Sequence, residues 1–170
     1  ILVSNIDASN TSDWNDGDGF KPIGESSNSF TGSFDGNGYN ITDLHIDRSS
    51  TNDVGLFGYL DGGTVANVTV KNVNITGDTE VGGLIGYNAN GNVRNSSVTG
   101  NVTGEGNFVG GLIGYNIYES AHVKNSYSTA NVTGSDYVGG LIGDNDLDAI
   151  VNNTYAAGKV TGDSTIGGLI

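Results

Sequence analysis

The stretch "VGGLIGYN" occupies residues 81–88, returns unchanged at 109–116, and recurs as "VGGLIGDN" at 138–145 and as "IGGLI" at 166–170. Internal periodicity decides the reading of this chain. The closing glycine of each motif falls at Gly58 (in "VGLFGYL", 54–60), Gly86, Gly114 and Gly143, in steps of 28, 28 and 29 residues. A Thr-Gly pair keeps the same beat at Thr76-Gly77, Thr103-Gly104, Thr133-Gly134 and Thr161-Gly162. So does Val-x-Asn, at Val65/Asn67, Val93/Asn95, Val123/Asn125 and Val151/Asn153. Each unit therefore carries three short apolar segments separated by Gly, Asn, Asp and Ser turns.

One such unit cannot bury its own apolar face, because ordering each residue costs about 1–2 kcal/mol of backbone entropy. Stacking like on like removes the difficulty. If every unit is one coil, its segments pair in parallel with the same segments of the next coil, about 4.8 Å away. The expectation is an all-β parallel β-helix, a β-solenoid of about 28 residues and three short strands per coil, right-handed by the strong preference of parallel crossovers. Composition agrees: 29 glycines, one proline and no methionine, with Asn, Asp, Thr and Ser abundant, favour short strands and tight turns over helices.

Charge narrows the partners. With 19 acidic and 6 basic residues the formal net charge is -13, which excludes phosphate-backbone recognition, since nucleic-acid binding relies on clustered Lys and Arg. Such a surface favours solubility and suits high salt. The chain has no cysteine, so no disulfide supports the fold. No apolar run approaches 18 residues, and membrane insertion of this segment is not expected. The sequence lacks an initiator Met and stops partway through a repeat, as a piece of a longer, processed protein would.

The array proper spans 54–170. Residues 30–53 read as an initial coil without the glycine motif: Phe30, Phe34, Tyr39, Ile41, Leu44 and Ile46 are spaced by polar positions around the turn signal Asp35-Gly36-Asn37-Gly38. Residues 1–29 hold Trp14, Phe20 and Pro22 and fit a lead-in segment that caps the open end of the core. Within the motif, Gly82, Gly83 and Gly86 serve either corners needing positive φ or close approach of two walls. Val81, Leu84 and Ile85 cannot all face inward on one regular strand, so a glycine bulge or an outward leucine is required. The stacked Asn67, Asn95, Asn125 and Asn153 form either an inward amide ladder or a column of turn residues.

The pattern quoted from 109–134, "VGGLIGYNIYESAHVKNSYSTANVTG", resembles the GLUG-motif repeats of bacterial and archaeal surface proteins. The upstream "DWNDGDGFKPIGE" (13–25), "FTGSFDGNGYNITDLHID" (30–47) and "VGLFGYL" look like the segment that introduces such arrays. The resemblance implies an extracellular, adhesin-like or cell-envelope β-solenoid. Similar repeats lie beside the catalytic region of IgA-cleaving metallopeptidases, whose zinc motif is absent from this sequence.

Chemistry is sparse. A cysteine nucleophile is impossible, no H-E-x-x-H, G-x-S-x-G or phosphate-binding loop occurs, and His45 and His122 read as ordinary strand or turn residues. Asp61, Asp78, Asp136 and Asp163 fall in turns, as acids in any soluble solenoid do. No cofactor is expected beyond Ca²⁺, for which Asp144, Asp146 and Asp148 alternate along "DNDLD" so that their carboxylates can share a side. Asp13, Asn15, Asp16 and Asp18 form a second such group; for both, the plain alternative is a solvated acidic turn. Sequons suited to glycosylation lie at Asn10, Asn40, Asn74, Asn101, Asn131 and Asn152. Those at Asn67 and Asn95 are incompatible with an inward ladder. Tyr87, Tyr115, Tyr118 and Tyr137 are candidates either for stacking on sugar rings or for wall packing.

The function these features support is a non-catalytic structural and interaction module: an acidic rod on a cell surface that partners itself, a neighbouring surface protein or a polysaccharide. Assembly into filaments through open coil ends is compatible with it. The alternative is a β-helix that binds or cleaves carbohydrate.

Overall fold

The computed structural model describes residues 1–170 and is a parallel β-solenoid built of four strand ladders. A tyrosine wall is made of Phe57–Asp61, Ile85–Ala89, Ile113–Ile117 and Ile142–Asp146. A valine wall follows, of Ser33–Asp35, Thr64–Ala66, Asn92–Arg94, His122–Lys124 and Ile150–Asn152. The long wall is centred on Thr69–Gly77 and Ser97–Gly104, and it breaks into two short pieces in the outer coils. A short wall of Val81–Gly82, Asn107–Gly110, Asp136–Gly139 and Ile166–Gly167 closes the coil. Pairing between coils is parallel and matches like with like: Val65 with Val93 and Val93 with Val123, Ile85 with Ile113 and Ile113 with Ile142.

The glycine segment, expected as one strand, is two strands meeting at a corner, which is why the coil has four ladders. Val81–Gly82 ends the short wall, Gly83 and Leu84 make the bend, and Ile85 starts the tyrosine wall. At the bend one carbonyl accepts two amides: Leu84 N–H and Ile85 N–H both donate to Leu112 O, at 2.9 and 3.1 Å. Leu112 and Ile113 repeat this on Leu141 O, at 2.8 and 3.1 Å. The bend resolves the inward-facing conflict, and Val81, Leu84 and Ile85 are all fully buried.

The glycines of this corner provide space; none of Gly82, Gly83 and Gly86 has positive φ. A Cβ on Gly82 would strike Ile85 O, and one on Gly110 would strike Ile113 O. A Cβ on Gly86 would lie 2.5 Å from Val54 N and 2.7 Å from Glu80 O, where the corner of the preceding coil presses on it. Left-handed backbone is assigned elsewhere. Asn67, Asn95, Asn125 and Asn153 take φ of 56, 51, 50 and 52° at the corner after the valine wall, a conformation asparagine tolerates. At the start of the short wall, Asp53, Glu80, Phe108, Tyr137 and Thr165 take φ between 48 and 62° without that advantage.

Columns of Val, Leu and Ile fill the interior and form one continuous core that includes Val54, Val81, Val109 and Val138, with Leu84, Leu112 and Leu141 beside them. The first residues join the same stack. Ile6–Asp7 pairs in parallel with Asn40–Thr42, Ile23 bridges Phe57, and Phe30 bridges Leu60. Phe30 and Phe34 pack on Phe57 with ring centroids 5.0 and 5.3 Å apart. Two short 3-10 turns, Ser9–Asp13 and Asn15–Gly17, bring Trp14 to 6.3 Å from Phe20 at this end.

Gly110→Ala is expected to lower stability by about 1–3 kcal/mol, the usual cost of overpacking, because the clash is with backbone that cannot rotate away. Gly168→Ala, with nothing within 4 Å of the added methyl, should stay within about 0.5 kcal/mol of the parent, as surface changes do. Urea midpoints of the two variants check the contrast.

Candidate functional site

Two amide ladders run along the solenoid. The first, Asn67, Asn95, Asn125 and Asn153, stands on the outside of its corner. Asn95 Nδ2 donates to Asn67 Oδ1 at 2.9 Å, Asn125 to Asn95 at 3.3 Å, and Asn153 to Asn125 at 2.7 Å. Asn67 Nδ2 ends the run on Asp35 Oδ1 at 3.0 Å, and this bond, with the Asn37 N–H, holds the Asp35 carboxyl below its ordinary value. The inward orientation considered for these asparagines is not what the structure shows. Their left-handed φ swings the side chains outward, and Asn95, Asn125 and Asn153 are exposed.

The second ladder lies inside and was missed in the sequence. Asn88 Nδ2 donates to Asn116 Oδ1 at 2.6 Å, and Asn116 Nδ2 to Asn145 Oδ1 at 2.6 Å. Asn145 Nδ2 ends on Ala149 O at 2.8 Å. In the coil below, the same position is Leu60, and the buried Asn88 Oδ1 has no hydrogen-bond partner. Period-two alternation from Ile85 sends Tyr87 in and Asn88 out; Ile85 and Asn88 are instead both fully buried while Tyr87 is half-exposed, so the phase breaks between them, where the pairing skips Gly86.

On the outer face of the tyrosine wall, rings stack along the solenoid axis. Tyr59 and Tyr87 are 4.5 Å apart and nearly parallel at 8°, Tyr87 meets Tyr115 edge-on at 5.3 Å, and Phe108 stacks on Tyr115 at 4.8 Å. Tyr137 adjoins Phe108 at 5.1 Å. The rings of Tyr59, Tyr87 and Tyr115 are thus engaged by other rings, while Tyr118 and Tyr137 are the more exposed, at 41 and 38%. Desolvation raises the hydroxyl pKa of Tyr59 and Tyr87, and that of Tyr115 to about 12, with the Asp146 and Asp144 charges adding to it.

The carboxylates of "DNDLD" are not gathered. Asp146 Oδ2 accepts from the Tyr115 hydroxyl at 3.2 Å and its Oδ1 from Leu147 N–H at 2.7 Å. Leu147 and Asp148 both take left-handed φ, 48 and 64°, so the alternation that would align Asp148 with Asp144 and Asp146 ends at Asp146. Asp13, Asn15, Asp16 and Asp18 are spread over two 3-10 turns, with Asp18 facing Arg48 at 3.7 Å. No group of three or more His, Cys, Asp or Glu side chains is arranged to hold a metal ion. Asp61, exposed, ends a strand of the tyrosine wall and Asp136, half-buried, begins one of the short wall; Asp78, half-buried, and Asp163, exposed, lie in bends, and His122 pairs in register with Asn92 on the valine wall.

Among the sequons, Asn74, Asn101 and Asn131 stand in register on the long wall, all exposed, with Asn131 Nδ2 donating to Asn101 Oδ1 at 3.2 Å. Asn74 lies 3.4 Å from the His45 ring. Asn10 and Asn152 are exposed, and Asn40 is half-buried, its backbone N–H bonded to Asn5 Oδ1 at 2.9 Å.

The repeat that builds all these columns is recognised independently: the GLUG motif family matches residues 77–103 and 106–133. These are GLUG repeats. The chain is 43% identical over 156 residues, 88% of its length, to halomucin of Haloquadratum walsbyi, but spans 1% of that protein. It is 44% identical over 62 residues to a protein of Evansella cellulosilytica bearing the name Gly-rich membrane protein, spanning 36% of this chain and 7% of the relative. No solved structure matches.

Two outcomes follow from these GLUG columns. Asn116→Leu leaves the Asn145 Oδ1 without its donor and Asn88 with only a 3.3 Å bond to Gly91 O, and should cost about 1–3 kcal/mol per orphaned group. Asn88→Leu copies Leu60 and removes the unpaired Asn88 Oδ1 but also takes the donor from Asn116 Oδ1, so the number of orphaned acceptors is unchanged, and it should change stability by no more than about 1 kcal/mol; denaturant titration separates the two. The second concerns Asp53 and Glu80, whose carboxyls stack at one corner. Burial, then the Glu80 charge, raises Asp53 to about 6, and burial raises Glu80. A raised carboxyl pKa contributes stability that is complete below the unfolded value of 3.8 and is lost as pH rises through about 6. Asp53→Asn should therefore raise Tm at pH 7.5 and leave it nearly unchanged at pH 4.

Proposed function

We propose that this GLUG solenoid is a non-catalytic rod segment of an extracellular surface protein, serving as a stiff spacer and as a carrier of regularly placed surface groups. The observation that carries the reading is the in-register stacking itself. Each strand of the array pairs with the same position of the neighbouring coil, so adding a repeat adds about 4.8 Å of rod and one more copy of every outward side chain. The names of the relatives, a halomucin and a Gly-rich membrane protein, support a surface setting. The small fraction of each that the chain spans supports a module within a longer protein. The acidic composition keeps such a rod soluble in concentrated salt.

The surface group the geometry favours is a glycan on the exposed long-wall column. Asn95, Asn101 and Asn131 are all exposed, but Asn95 Nδ2 donates to Asn67 Oδ1 and Asn131 Nδ2 to Asn101 Oδ1, whereas Asn101 Nδ2 donates to no other side chain. A sugar on Asn95 would replace one of those amide hydrogens and compete with its ladder bond.

Peptide mass spectrometry of the protein purified from its source is expected to find hexose-bearing Asn101 and unmodified Asn67 and Asn95. Incubation with a panel of neutral and acidic polysaccharides should leave their viscosity unchanged. A fall in viscosity, abolished by heat-unfolding the chain, would overturn the non-catalytic reading, and sugar on the ladder asparagines would overturn the placement.

A further inference from the structure

From residue 49 onward the charges are sorted by which part of the coil they occupy. Residues 64–77, 92–104, 122–133 and 150–161, which make the valine and long walls, contain no Asp or Glu and hold all four cations, Lys71, Arg94, Lys124 and Lys159. The intervening residues, which make the short and tyrosine walls and their corners, contain all 11 carboxylates and no Lys or Arg. The sorting repeats in each coil from residue 49 onward, so it extends along the array; the first coil, with Asp35, Asp43 and Asp47 on the same walls, lacks it.

Two further facts make the sorted cations available. Lys71, Arg94, Lys124 and Lys159 are all exposed, and none makes an ion pair within the chain, where Arg48 with Asp18 is the sole pair. Arg94 and Lys124 are also partners in register, which roots two like-charged side chains on adjacent strands about 4.8 Å apart. Like charges directly opposite on a sheet are destabilising, and a carboxylate surface laid across them relieves that cost.

We propose that the solenoid is electrically two-sided and packs laterally on a second copy of itself, the acid-free half of one rod against the acid-bearing half of the next. Charge complementarity selects this occupant: the chain carries the matching surface on its other side. Because the contact joins two different faces, it leaves a free face of each kind on every rod and repeats into a raft. Each exposed ion pair is worth little, so attachment depends on summing one or more pairs per coil over a long rod. The proposal uses only the coil geometry and the charges, and does not depend on where the protein resides or on glycans.

A zero-length carbodiimide, which joins an ammonium to a carboxylate only in contact, tests it on mixed ¹⁴N- and ¹⁵N-labelled chains produced without glycans. At 0.1 M salt, where screening acts over about 10 Å, mixed-isotope links are expected from Lys71, Lys124 or Lys159 to the corner carboxylates Asp78, Glu105, Asp136 and Asp163; at 1 M, with a screening length of about 3 Å, they should fade several-fold. The double variant Arg94→Glu, Lys124→Glu should lower the inter-copy yield at the remaining lysines several-fold, with circular dichroism showing the parent fold. Neutralising Asp78→Asn, Glu105→Gln and Asp163→Asn together lowers the net charge, and generic association would rise; the proposal requires it to fall. Absence of inter-copy links at 0.1 M, links confined to residues 1–48, a yield that rises on neutralising the acids, or a chain that stays monomeric while binding a sulfated polysaccharide through Arg94 and Lys124 would each overturn it.

Discussion

The backbone of each coil has one adequate partner, the equivalent backbone of the next coil in parallel register, and the rest of the structure follows from that requirement. Because the pairing is repeat on repeat, every side chain acquires a copy of itself about 4.8 Å above and below. Apolar side chains become interior columns and asparagines become ladders. Aromatic rings stack on one another, and charges of one sign line up on one side. A single coil gains none of this, which is why the sequence restates itself instead of diversifying.

Register also explains the conservation of chemistry from one repeat to the next without invoking catalysis. Glycine is required at positions 82, 86, 110 and 114 because neighbouring backbone occupies the place of a Cβ. The conformational freedom usually credited to glycine is instead demanded of Asn67, Asn95, Asn125 and Asn153, and of less suited residues such as Phe108 and Tyr137. The outer asparagines accept that conformation readily and recover a hydrogen bond to the next coil. The inner ones replace an apolar column at Leu60 with a polar one from Asn88 onward, a device that fixes register because a slipped coil would leave an amide unpaired in the core.

The sequence made the coil, its period and its parallel stacking legible, because each depends on spacing that repeats at fixed intervals. What it hid depends on phase within a coil. A break in alternation between Ile85 and Asn88 puts Asn88 and Asn116 inside and Tyr87 outside, so the buried ladder was invisible and Tyr87 was open to reading as a sugar platform. The left-handed turn at Leu147 likewise separates Asp148 from the two acids with which it alternates in the sequence. The outer asparagines were found as a column, and their facing was not, since Val-x-Asn says nothing of the φ that turns the side chain outward.

The most direct measurement of the register uses cysteine pairs, for which the cysteine-free chain is a clean background. Arg94 and Lys124 are register partners on an exposed face, while His122 lies two residues out of step on the same strand. In-register Cα atoms about 4.8 Å apart fall within the span of a disulfide, and a two-residue offset, about 8 Å, falls outside it. The account predicts that Arg94→Cys with Lys124→Cys closes an intramolecular disulfide under mild oxidation and that Arg94→Cys with His122→Cys does not. Closure of the offset pair in preference to the register pair, or of neither, would contradict coil-on-coil pairing.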